Sequence, residues 1–110
     1  MLAKSSRLNR VEINLLRDPG RKGKIIQGSF FGLIFKESSQ SGKFGVIISN
    51  KISPKAVERN RIKRLLYRTV EDKMADETGL FLFLAKRNCV NAGLEEFEKE
   101  VKFFQDNIIG

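Results

Sequence analysis

The sequence predicts an α/β sandwich, with one sheet and helices packed against it. Three observations carry this. Leu80 to Ala85 is an unbroken apolar run, typical of a strand covered on both faces. Ile62, Leu65, Leu66, Thr69 and Val70 gather on one helical face before it. Leu94, Phe97, Val101, Phe104 and Ile108 form a second stripe after it, at spacings of three and four. The 110 residues, 41% of them hydrophobic, suit a single domain over 1–110.

The elements follow in order. Leu8 to Leu16 reads as a short helix with Leu8, Val11, Leu15 and Leu16 near one face. Asp18-Pro19-Gly20-Arg21-Lys22-Gly23 is a turn with a glycine break. Lys24 to Gln27 is a short strand, and Ser29 to Phe35, rich in Phe, Leu and Ile, a second. The polar stretch Glu37 to Lys43 suits a hairpin loop, and Phe44 to Ser49 is the third strand. Ser53 is placed to cap a helix and Pro54 to begin it, with the helix running to about Met74. Leu80 to Lys86 is the fourth strand. The last helix spans Ala92 to Ile108, with Asn91 as the expected N-cap.

Charge narrows the function. Lys plus Arg is 21 against 13 acidic residues, a net +8. Residues 1–24 hold seven positive and two negative charges; residues 51–70 hold seven positive and one negative. Two basic segments on an otherwise mildly acidic chain point to a polyanion-binding surface. A solvated helix face normally mixes signs, whereas here Glu58 stands alone among the cations. With no histidine and one cysteine, the usual zinc ligand sets and histidine-based acid–base chemistry are excluded. No metal site is expected: Asp72, Asp76 and Glu77 suit a solvated boundary better than a magnesium site. Apolar runs fall far short of the roughly 20 residues a membrane span needs. Met1 to Arg10 lacks a signal peptide's apolar core, so a cytoplasmic location is expected.

The helix over 54–74 carries the motif. Arg59, Lys63 and Arg64 lie on neighbouring turns of one face with Asn60 among them, an arrangement that meets several phosphates at once. The string Ala56-Val57-Glu58-Arg59-Asn60-Arg61-Ile62-Lys63-Arg64-Leu65 closely resembles the signature of the bacterial ribonuclease P protein subunit, A-V-x-R-N-R-x-K-R. In that family a glycine-valine strand and a serine-lysine-lysine turn precede it. Here the segment is Phe44-Gly45-Val46-Ile47-Ile48-Ser49-Asn50-Lys51, with Asn50 in place of the first lysine. Arg7-Leu8 and Leu80 to Arg87 resemble the family's start and last strand more weakly.

The resemblance implies a small protein partner of a catalytic RNA that removes the 5′ leader of precursor tRNA. The RNA holds the catalytic magnesium (Mg2+) and performs the hydrolysis, so no protein side chain is catalytic and the protein alone binds no cofactor. The implied partners are the ribonuclease P RNA and precursor tRNA, with no membrane or DNA, and the protein is expected to be a monomer outside the complex. The implied RNA-binding residues are Lys51, Lys55, Arg59, Asn60, Arg61, Lys63, Arg64, Tyr67 and Arg68. Ile13, Phe31 and Leu33 are expected to line a cleft for the leader. Ile13 stands where the family has a phenylalanine, and Tyr67 where an arginine is common. The implied fold resembles domain 2 of ribosomal protein S5, an α+β sandwich with one mixed four-stranded sheet, three helices and a left-handed βαβ crossover. The general rule alone predicts a right-handed one. The competing readings are a general RNA-binding or ribosomal-type protein without a role in tRNA processing, and a DNA regulator. A recognition helix embedded between two strands disfavours the latter.

Overall fold

A computed structural model describes residues 4–18 and 24–109. Its elements are a 3-10 turn at Lys4–Ser6, α1 (Arg10–Arg17), β1 (Lys24–Gln27), β2 (Phe31–Ser41), β3 (Lys43–Ile47), α2 (Ala56–Lys73), β4 (Thr78–Ala85), a 3-10 turn at Arg87–Asn91 and α3 (Leu94–Ile109). The four strands form one mixed sheet in the order β1-β2-β4-β3. β4 runs antiparallel to β2 and parallel to β3. The most apolar strand therefore takes a central seat, as a strand covered on both faces should.

This order corrects the expected hairpin. β2 continues through Glu37 to Ser41, with an irregularity between Lys36 and Ser41, and pairs again at Ser41 with Thr78. Only Gly42 separates it from β3, yet the two strands are not paired, because β4 lies between them. Gly42 makes that turn possible: its N–H donates to Glu77 O at 3.0 Å, and a Cβ there would stand 2.7 Å from the same oxygen. The turn expected over Asp18–Gly23 lies, beyond Asp18, outside the described residues.

The sheet separates two cores. Phe31, Leu33 and Phe35 of β2 share a face with Phe81 and Phe83 of β4, packed against Ile62, Leu66 and Val70 of α2 and Phe97, Val101 and Phe104 of α3. Aromatic contacts run through this layer, from Phe35 over Phe81 at 5.0 Å to Phe31 edge-on to Phe97 at 5.1 Å. The opposite face holds Ile34 and Leu82, covered by Leu8 and by Leu16 of α1, with Ile13, Ile47, Leu80 and Leu84 partly buried beside them. Asn9 caps α1 in a full capping box with Glu12. Burial works to raise the Glu12 pKa, but the Asn9 N–H and the Lys43 ammonium, 3.1 Å away, outweigh it and hold the carboxyl below its usual range.

Two helix starts differ from expectation. α2 begins at Ala56, with Lys55 at the cap position and no side-chain cap bond. Ser53 is buried and its hydroxyl donates instead to Glu58 Oε1 at 2.7 Å, while Arg59 Nη1 donates to the Ser53 carbonyl at 2.8 Å. This side-chain clasp replaces a cap. Asn91 lies inside the 3-10 turn, and Glu96 reaches back to accept from the Gly93 N–H at 2.7 Å.

The corner between β1 and β2 is fixed by Glu100 of α3, only 7% exposed. Its carboxylate accepts from the N–H groups of Ser29, Phe30 and Phe31 at 2.6, 2.7 and 2.7 Å. Lys86 Nζ donates to Gly28 O and Asn88 Nδ2 to Ser29 O. The Lys86 N–H donates to Phe30 O, and the Gly28 N–H to Phe31 O. Every backbone donor and acceptor of residues 28–31 is thus paired. Glu100 lies on the apolar stripe of α3 between Phe97 and Phe104, and a carboxylate on a core stripe was the signal in the sequence that marked it.

Candidate nucleic-acid interface

α2 buries Ile62, Leu66, Tyr67, Thr69 and Val70 against the sheet and leaves Lys55, Asn60, Lys63, Arg64 and Arg68 exposed on its outer side. Leu65, expected in the stripe, is only partly buried. Lys51 is exposed on the loop that leads into the helix. Among the described residues Arg64 and Arg68 have no hydrogen-bond or ion-pair partner.

The predicted cations do not all behave alike. Arg59 and Arg61 are half-buried and turned back onto the protein. Arg59 holds the Ser53 carbonyl, and Arg61 Nη2 donates to Val90 O at 2.8 Å. Beneath this tie lies the buried Cys89 thiol, pushed up to about 11 by burial, with the Arg61 charge opposing the rise.

Tyr67, implied as an RNA-binding residue, is only 7% exposed. It serves as a floor. The Arg7 guanidinium sits 5.6 Å and the Lys63 ammonium 5.9 Å from the ring centre. Burial raises the Tyr67 pKa, with Arg7 and the Val46 backbone opposing. Together Arg7, Asn60, Lys63, Arg64 and Tyr67 line a pocket of about 260 Å³ that contains no acidic residue. Arg7 is the member that sequence reasoning left out of the site. It is placed by backbone pairing: Arg7 bridges Phe44 in parallel, and the Leu8 N–H donates to Phe44 O at 3.0 Å along the outer edge of β3. Its Nε is buried with no hydrogen-bond partner among the described residues. The excess of basic residues over 1–24 was the available signal.

Phe31 and Leu33 are corrected as cleft residues. They are 1% and 0% exposed, because their face of β2 is the one that α2 and α3 cover. Six phenylalanines across β2, β4 and α3 fill the two-helix side, so this face of β2 is core. Ile13 stands at the rim of the opposite face, partly buried beside Ile47 and Leu84. Gln27 and Lys36 share that face by register and are exposed.

Comparison with known proteins identifies the family and the fold. The family model for ribonuclease P matches residues 8–108. A ribonuclease P protein component of Microcystis aeruginosa is 30% identical over 87 residues, 73% of this chain and 72% of that protein. One from Marinomonas sp. is 34% identical over 76 residues, 68% of this chain and 54% of that protein. The structure of the Staphylococcus aureus RNase P protein superposes with a TM-score of 0.79 at 15% identity, covering 96% of each chain. That of the Thermotoga maritima protein gives 0.76 at 16% identity, covering 89% of this chain and 93% of the other. These two share the fold, and the sequence match over nearly the whole length supplies the rest: this chain belongs to the ribonuclease P protein family.

Proposed function

We propose that the chain is the protein subunit of a ribonuclease P, binding the catalytic RNA through α2 and assisting removal of the 5′ leader from precursor tRNA. The observation that carries this is the acid-free cationic pocket formed by Arg7, Asn60, Lys63, Arg64 and Tyr67 on α2's outer side, with exposed donors at Asn60, Lys63 and Arg64. Lys51, Lys55, Asn60, Lys63, Arg64 and Arg68 meet phosphates from the exposed side, and Arg59 adds charge at the start of the helix. Each phosphate neutralised releases counterions, so affinity falls steeply with salt.

The leader runs over the sheet face beside α1, where Ile13, Ile47 and Leu84 offer aliphatic surface and Gln27 and Lys36 polar groups. Aliphatic side chains give contact without the base stacking worth about 1–3 kcal/mol. Leader grip is therefore weaker here than on an aromatic rim.

Among the described residues no three Cys, Asp or Glu side chains gather as a metal-ion cage. In this reading the RNA supplies the magnesium chemistry. The protein binds, neutralises and orients, and it works in the cytoplasm where precursor tRNA is made.

The test is cleavage of precursor tRNA at low magnesium by the RNA subunit from the same organism, with and without this protein. Accurate 5′ cleavage restored by the protein is the expected result. RNA binding with cleavage unchanged would make α2 a general RNA-binding device.

A further inference from the structure

The basic residues of α2 look equivalent in sequence but divide by what they already hold. Asn60, Lys63 and Arg64 are exposed. Arg61, one residue from Asn60, is half-buried and points to the other side of the helix, where it bonds the Val90 carbonyl at 2.8 Å. Val90 belongs to the same 3-10 turn as Cys89, which is fully buried. A guanidinium bonded to a carbonyl in a partly desolvated site has lost part of its hydration and gains little by turning out to a phosphate.

The turn it holds is itself tied onward. Asn88 and the preceding Lys86 donate to the carbonyls of Ser29 and Gly28, whose corner is closed by Glu100. Arg61 is a hydrogen-bonded link from α2 to the turn tied to this fixed corner. We infer that Arg61 is a positioning residue for RNA binding: through the Val90 carbonyl it anchors the half of α2 that presents Asn60, Lys63 and Arg64, and it is not itself one of the phosphate contacts. The inference rests on the RNA-binding reading of α2. Its physical content is preorganisation: an anchored helix presents its donors in one arrangement, and a loosened one must be ordered at the moment of binding.

The experiment measures affinity for the cognate ribonuclease P RNA across a salt series, for the unaltered protein and for Arg61→Ala, Arg61→Gln and Arg64→Ala. Removing a phosphate contact shallows the slope of log affinity against log salt by about 0.7–0.9. The expected pattern is that loss for Arg64→Ala. Arg61→Ala should keep the full slope yet bind severalfold more weakly when folded. Arg61→Gln, which discards the charge but keeps an amide donor, should also keep the full slope, and it covers the case in which the alanine variant does not fold. Cys89, the single cysteine, reports on the tie. Its reaction with a thiol reagent should speed up by about tenfold or more in Arg61→Ala, the factor matching one lost charge-assisted hydrogen bond.

A slope loss in either Arg61 variant overturns the inference while leaving the RNA-binding reading intact. So does unchanged affinity in folded Arg61→Ala, or an unchanged Cys89 rate. If the unaltered protein does not bind the RNA, the reading falls and the inference with it.

Discussion

The two ends of this molecule treat polar groups in opposite ways. At the β1–β2 corner, each backbone donor and acceptor of residues 28–31 has a partner within the chain, and Glu100 satisfies three N–H groups with one buried carboxylate. On the α2 face, Arg64, Arg68 and the buried Arg7 Nε have no hydrogen-bond partner among the described residues. The corner is built for stability, because buried polar groups cost free energy unless paired. The α2 face gives up such pairing so that its donors stay available to an outside anion. A cationic side chain alone therefore does not mark a contact residue. What it already bonds must be known, and Arg61 and Arg64 show the difference three residues apart.

The comparison can be broken most directly at Glu100. Glu100→Ala strands three N–H groups and should cost about 3–5 kcal/mol in chemical denaturation. The folded variant's salt slope for RNA should stay unchanged, and a changed slope would mean the two ends are not separable. Gly28→Ala attacks the same corner by sterics, since its Cβ would lie 2.6 Å from the Glu100 carboxyl carbon. A loss of about 1–3 kcal/mol is expected from the forced shift.

The turn that joins the two ends should respond to alkali. Cys89 has its pKa raised from 9.0 to about 11, so its neutral form is favoured in the folded state. That stability is fully present below pH 9, where the unfolded thiol is also protonated. It is lost as pH rises toward 11, because the unfolded chain releases its proton first. Denaturation midpoints should fall across that window, and less steeply in Cys89→Ala.

The smallest stability effect belongs to the open face. Lys63→Ala with Arg64→Ala should change folding stability by no more than about 0.5 kcal/mol. The same pair should shallow the RNA salt slope by roughly 1.4–1.8. A large stability loss there would mean these cations are structural after all.

How far the sequence could be read depended on whether a pattern has one physical solution. The α3 stripe was legible because Phe97, Val101 and Phe104 at helical spacing admit one buried face. Leu80 to Ala85 was legible as a central strand because only such a strand is apolar on both sides. The hairpin over Glu37–Lys43 was misread because polar residues suit both a loop and an exposed extension of a strand, and β4 decided the matter from about 40 residues away. Which face of β2 was open could not be told from alternation, which is symmetric until the helices are placed. The outer row of α2 was legible as charge. The inward turn of Arg59 and Arg61 was not, because their partners are backbone carbonyls, which every residue carries.

The seat of β4 between β2 and β3 sets an order of events during synthesis. When the ribosome has made residues up to Lys73, the whole basic helix exists, yet the strand that closes the sheet has not been made. β3 lacks β4, the strand it pairs with in the sheet, and the carbonyl that Arg61 holds belongs to residue 90. The nascent chain therefore carries 17 of its 21 basic residues before it can aim them. The finished cationic face emerges only after the last quarter of the chain leaves the ribosome, a machine itself made largely of RNA.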